Sequence, residues 1–184
     1  MNRYITLLFV GFISLLSSCD GDFEDINTDP NRATSDQFDP NLILPDAIHN
    51  YGTSTTGYNG AILFESMWVQ IFASTSTGEA NYYSNGDKYV ASSNTNSYAQ
   101  SIWNIDYQTA SKLYQMSLLA TEKGMGNLAT IGDILKIMNI AYISDVYGDV
   151  PYSEALQLED AISRPVYDRQ QEMYPQMLAE LETA

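Results

Sequence analysis

Two long amphipathic patterns with a short connection between them constrain the fold of this chain more than any other feature. In the first pattern, apolar residues recur at helical spacing on one face from Ser101 until Gly124 ends the pattern. The second begins at Thr130, which forms a capping-box-like start with Asp133, and it ends at Gly148. Because only about six residues connect the patterns, we predict two antiparallel neighbouring helices, a helical hairpin.

The rest of the body also favours helices. We expect a short first helix near Asn41, interrupted by the glycines and hydroxyl residues of 52–60, and a further helix over 61–72. Another short helix is predicted over 151–158. The predicted fold class is therefore all-α.

The last predicted helix begins at Asp168 and contains Pro175, which should kink or restart it. Its apolar pattern runs to Ala184 without a terminating Gly or Pro, so we expect the helix to continue in a longer protein.

Residues 73–100 show no sustained period and are rich in Ser, Thr, Asn and Tyr. We predict a long ordered loop here, with a pair of short strands as the alternative. Loops of this length within a compact domain are often functional.

The first residues predict secretion and lipidation. Arg3 precedes an apolar run of about 13 residues, whereas a membrane span needs ~20, so a signal peptide is favoured over a permanent anchor. The run LSSC at 16–19 resembles the bacterial lipobox, in which the thiol of Cys19 accepts the lipid. The alternative is an ordinary signal peptide that leaves a free cysteine. We expect three parts: a signal peptide at 1–18, an acidic tether and extended lead at 19–40, and a helical body at 41–184.

The charge balance excludes some partners. The chain has 8 Lys and Arg against 23 Asp and Glu, a net charge of −15. Phosphate backbones and anionic membrane surfaces are repelled by such a chain, so we expect no nucleic-acid partner. The 14 tyrosines, many of them near Asn, Ser and Thr, suit recognition of sugars or peptides.

The sequence predicts no enzyme, no cofactor and no metal site, and it leaves open only calcium bound by clustered acids, for which the EF-hand spacing is absent. His49 is the single histidine, and it has no partner at metal-ligand spacing. Asp145, Asp149 and Glu154 would supply paired carboxylates to a glycoside hydrolase, but turn capping and the dipole of a helix over 151–158 explain these acids without catalysis.

Four segments in order resemble the SusD/RagB family of nutrient-binding outer-membrane lipoproteins. The segments are FEDINTDPNR at 23–32, WNIDY at 103–107, DVYGDVPYSEAL at 145–156 and PVYDRQQEMYPQMLAEL at 165–181. The acidic run at 20–25 also resembles the export signal of Bacteroidetes surface lipoproteins, although a solvated tether explains it equally well.

The resemblance implies TPR-like helical pairs with long irregular ligand-facing loops. It also implies a lipid-anchored location at the outer membrane, facing outward, and a SusC-like TonB-dependent β-barrel transporter as partner. Members of the family are longer, so the chain would hold the amino-terminal part. Pro175 interrupts a helix that the family normally carries through.

The expected ligand is a glycan or a peptide, bound on aromatic side chains with neighbouring amides. The first candidates are the loop residues Asn81, Tyr82 and Tyr83, followed by Trp68, Tyr98 and Trp103. For the two tryptophans, core packing is the alternative. A structural lipoprotein subunit without a small ligand is the alternative function.

Overall fold

The computed structural model describes residues 27, 37–75, 84–157 and 164–184. Chain contacts divide the protein into the units Met1–Phe38 and Asp39–Ala184, and the helices described below belong to the second. Cys19 and the predicted signal peptide lie outside the described residues. In the described ranges, no helix combines the length and apolar character that crossing a membrane requires.

Helix α1 spans Ile43–Thr56 and follows a 3-10 turn at Pro40–Leu42. It confirms the helix near Asn41 but is longer than predicted, because it continues through Gly52. The hydroxyls of Thr55 and Thr56 donate to backbone carbonyls four residues earlier, so these residues remain within the helix that they were expected to end.

A π-helical segment at Tyr58–Glu65 and a single α-turn at Ser66–Trp68 replace the helix predicted over 61–72. The prediction of helical structure is confirmed, but the element begins earlier and ends earlier. Gly60 is required for its path, since a Cβ there would lie 2.4 Å from the backbone oxygen of Ser54.

Helix α2 spans Ser93–Glu122, so the predicted start at Ser101 is wrong. The hydroxyl of Ser92 accepts a hydrogen bond from the Thr95 amide at 3.2 Å and caps the helix. The loop predicted over 73–100 is therefore helical in its last part, where polar side chains conceal the period. Before α2, the described part of this stretch contains a short helical turn at Ser84–Asp87 and no strand.

Helix α3 spans Gly126–Tyr147 and begins before the predicted Thr130, which lies inside it. The connection is short because α2 ends in a Schellman motif: Gly124 has a φ of +70°, and the Met125 amide donates to the Ala120 carbonyl at 2.7 Å. Gly148, with a φ of +83°, ends α3 as predicted.

The antiparallel hairpin of α2 and α3 is confirmed. A Cβ at Gly132 would lie 3.1 Å from the carbonyl oxygen of Leu113, while the rings of Trp103 and Tyr147 pack further along the same pair. The buried residues between the helices form two clusters, one near the connection and one towards the other end. They include Leu113, Met116, Ala120 and Leu128 in the first, and Ala110, Ile137, Ile140 and Ile143 in the second.

Helix α4 spans Gln170–Thr183 and adds Met173 and Met177 to the second cluster. Pro175 lies inside it without a restart of the helix.

The helix predicted over 151–158 is wrong, since residues 153–156 form a turn. Asp168 holds this turn: its carboxylate accepts from the amides of Tyr152 and Ser153 at 2.8 Å and from the Ser153 hydroxyl at 2.7 Å. The fold is all-α as predicted, whereas the TPR-like arrangement stays a prediction, because one hairpin does not define a repeat.

Candidate functional site

The α-turn after the π-helical segment presents an aromatic surface. Trp68 is 40% exposed, and the ring of Phe64 stacks on it at a centroid distance of 5.9 Å. Tyr89 contacts the Trp68 ring edge-on at 5.2 Å. Trp68 is thus a partly exposed indole in contact with the rings of Phe64 and Tyr89.

Helix α3 provides the facing wall of a groove of about 520 Å³, which we call the Trp68 groove. From α3 come Tyr142, Asp145 and Val146; the other lining residues are Phe64, Glu65, Ser66, Trp68, Val69 and Ile71. The groove therefore combines apolar and aromatic side chains with two carboxylates, the composition expected of a small-ligand site.

Both carboxylates of the groove are held by tyrosine hydroxyls. Tyr142 donates to Oε1 of Glu65 at 2.6 Å, and Tyr174 donates to Oδ1 of Asp145. Burial and the hydrogen bond to Glu65 raise the pKa of Tyr142, so this hydroxyl keeps its proton and remains a donor. In the ranges that the structure describes, no protein donor contacts the second oxygen of either carboxylate.

A buried carboxyl group lies behind the groove. Asp106 is fully buried on α2, and its Oδ2 accepts a hydrogen bond from the hydroxyl of Ser54. Its Oδ1 has no partner among the described residues. Burial raises the pKa of Asp106 to about 7; the Ser54 hydrogen bond opposes this shift and the charge of Glu65 adds to it. Asp106 on α2 therefore interacts with α1 through the Ser54 hydrogen bond and with the groove through the charge of Glu65.

The arrangement is suited to binding a sugar. A pyranose ring can stack on an exposed aromatic face, and carboxylate oxygens accept hydrogen bonds from its hydroxyls. A second cavity of about 600 Å³ near the connection of α2 and α3 has no aromatic or charged lining residue. We therefore place the candidate site at the Trp68 groove.

The predicted site residues are separated in the structure. Trp68 lies in the groove, but Trp103 is half-buried in a different cluster with Tyr107, Tyr147 and Tyr167. Within the described residues, no ring pair joins this cluster to Trp68. Tyr98 is half-buried on α2.

Three of the predicted site residues lie outside the described residues, namely Asn81, Tyr82 and Tyr83. Their role in ligand binding stays a prediction.

The acids considered for catalysis have structural partners. Asp149 Oδ1 accepts the amide of Gln170 at the start of α4, and Glu154 Oε2 accepts the amide of Val166, both at 3.0 Å. The helix-dipole role predicted for Glu154 is wrong, because the residue lies in a turn. Among the described residues, no group of His, Cys, Asp and Glu side chains is arranged to hold a metal ion.

Sequence reasoning missed Glu65 and Tyr142 as site residues. The available signal was spacing: Glu65 lies three residues before Trp68, and Tyr142 lies three residues before Asp145. Residues at this spacing share one face of a helical segment. Nothing in the sequence indicated that the two pairs face each other, because this depends on how the π-helical segment packs on α3.

An open groove of aromatic and acidic side chains in a helical body is typical of small-ligand sites in binding proteins. The model of the SusD-like family, described as starch-binding associating with outer membrane, matches residues 30–184. The chain belongs to this family of nutrient-binding proteins associated with the outer membrane. No curated protein and no solved structure matches the chain.

Proposed function

We propose that the protein captures a glycan in the Trp68 groove and delivers it to a TonB-dependent β-barrel transporter of the SusC type. The observation that carries the binding site is a groove of about 520 Å³ that is lined by the partly exposed Trp68 indole and by the carboxylates of Glu65 and Asp145. The starch-binding description of the family favours a glycan over a peptide. The protein acts by binding, and its acids orient ligand or stabilise turns without catalysis.

Trp68→Ala tests the site. We expect maltohexaose, measured by calorimetry, to bind about tenfold more weakly or not detectably, because the stacking surface is lost. The matched control is Tyr167→Ala, which removes a 65% exposed ring from the Trp103 cluster and should leave affinity unchanged. If Tyr167→Ala alone lost binding, the glycan site would lie at the Trp103 cluster and not in the Trp68 groove.

The membrane attachment proposed here is a lipid on Cys19, which holds the protein at the outer membrane facing outward. Metabolic labelling with a fatty acid should mark the wild type and not Cys19→Ala. Protease added to intact cells should degrade the wild type if it faces outward. Label retained by Cys19→Ala would contradict the anchor.

The interaction with a transporter can be tested by gentle purification of the tagged full-length protein from outer membrane. A β-barrel in stoichiometric amount is the expected result. If no β-barrel co-purifies, the proposed delivery of the glycan to a transporter is wrong.

A structural subunit without a small ligand is the second candidate. It is favoured by exposed apolar side chains at the groove: Val69 at 61% and Ile71 at 72% exposure in its lining, and the neighbouring Phe72 at 50%. Such a surface suits a protein partner. A barrel that co-purifies equally with wild type and Trp68→Ala, while no glycan binds to either, would support this second function.

A further inference from the structure

The charged side chains in the described lining of the Trp68 groove are both acidic. Glu65 and Asp145 are its charged side chains, and no described lining residue is Lys or Arg. A net charge of −15 adds to the negative potential. An anionic sugar would therefore meet repulsion, whereas a cationic group would be attracted.

The two carboxylates of the groove lining can each accept a further hydrogen bond from a cation. Each is fixed by one tyrosine hydroxyl, from Tyr142 or Tyr174, through one oxygen. The second oxygen of each carboxylate has no described protein donor. Neutral sugar hydroxyls do not require two charged acceptors, but an ammonium group has three donors and benefits from both the charges and the Trp68 ring face.

We propose that this groove prefers glycans whose amino sugars carry a free, protonated amine, with the ammonium group near Glu65 and Asp145 and the sugar ring on Trp68. This inference rests on the proposed glycan-binding function and adds the ligand class. N-acetylation of the amine removes its charge and two of its donors, so the acetylated glycan binds more weakly. Uronic acids are excluded by charge.

The test compares four oligosaccharides of equal length on the full chain by calorimetry at about 0.15 M salt, where long-range charge effects are screened. The probes are a glucosamine hexamer, its N-acetylated form, maltohexaose and a galacturonate hexamer. We expect the glucosamine hexamer to bind about tenfold more tightly than the acetylated form and the galacturonate hexamer not to bind.

The charge requirement is tested with the double variant Glu65→Gln and Asp145→Asn. Both amides can still accept the tyrosine hydroxyls, so the geometry is retained while the charge is removed. Affinity for the glucosamine hexamer should fall about tenfold, while that for maltohexaose changes little.

The matched control removes two charges elsewhere, with Glu122→Gln and Glu182→Gln, both exposed and outside the groove. An equal loss in this control would show non-specific attraction and overturn the inference.

The outcomes separate the two proposals. If all neutral and amino-sugar hexamers bind equally and Trp68→Ala weakens all of them, the glycan-binding function holds and the amine preference fails. If Trp68→Ala changes no affinity, the groove is not the glycan site and both proposals fail.

Discussion

The hydroxyl of Ser54 on α1 donates a hydrogen bond to Oδ2 of Asp106 on α2, and this contact joins two helices around a fully buried carboxyl group. The carboxylate gains one hydrogen bond and no basic partner among the described residues. Because water is excluded, the neutral form of Asp106 is favoured in the folded protein.

Asp106 should make stability depend on pH. Its pKa rises from 3.8 to about 7 on folding, so its favourable contribution is complete below pH 3.8 and is lost as pH rises through about 7. Asp106→Asn removes this dependence. Relative to wild type, the variant should gain about 2 to 3 kcal/mol in unfolding free energy between about pH 5 and pH 8, as measured by urea denaturation. A difference that does not change with pH would contradict the raised pKa.

Asp168→Ala should destabilise the turn before α4, because three donors on Tyr152 and Ser153 lose their acceptor. We expect a loss of about 2 to 3 kcal/mol in unfolding free energy by urea denaturation. Glu182→Ala, an exposed acid at the end of α4, is the control and should change stability little.

The contribution of Asp168 to the free energy of unfolding should depend on pH in the acid range. Burial raises the pKa of Asp168, but hydrogen bonds from the Ser153 hydroxyl and the two amides outweigh this and hold the pKa below its usual value. Its stabilisation is therefore present above pH 3.8 and is lost as pH falls through the folded-state pKa. The destabilisation in Asp168→Ala should shrink in acid; an effect that stays constant would be inconsistent with a charged acceptor.

Gly132→Leu should destabilise the hairpin, since even a Cβ would lie 3.1 Å from the Leu113 carbonyl and 3.2 Å from the Ser117 Cβ. Overpacking at such a helix contact costs about 1 to 3 kcal/mol. Gly126→Leu is the matched control, because nothing lies within 4 Å of a Cβ there. Thermal unfolding should separate the variants, and equal melting temperatures would show that the helices can move apart freely.

Tyr142→Phe should destabilise the contact between α3 and the π-helical segment, which together line the groove. The phenol donates to Glu65 at 2.6 Å, and removing this donor should lower unfolding free energy by about 1 to 2 kcal/mol. Tyr167→Phe, at a residue 65% exposed, serves as the control and should be neutral. If both variants unfold at the same urea concentration, the Tyr142–Glu65 contact does not stabilise the folded protein.

Much of the fold could be predicted because the signals are local. The apolar period identified the hairpin, and Gly124 and Gly148 mark its helix ends because both adopt positive φ values. Helix starts were predicted less well. Ser92 caps α2 ahead of two polar turns that carry no apolar period, and the tight Schellman connection starts α3 before Thr130.

The candidate site was predicted only in part for a different reason. Trp68 was identified as an aromatic binding candidate, but a sequence cannot show that Trp103 would instead pack among three tyrosines. It also gave no indication of a π-helical segment at Tyr58–Glu65, because that geometry depends on the packing of Gly60 against α1.

The sequence by itself determined the helical class and the hairpin of this SusD-like protein, since periodicity and glycine stops act over a few residues. Only the tertiary structure decided which side chains share the groove. Glu65 and Asp145 line the same groove although they lie on helical segments far apart in the chain. The burial that gives Asp106 its unusual pKa exists only after α1, α2 and α3 have packed. Burial and facing surfaces are properties of packed elements, and no local pattern encodes them.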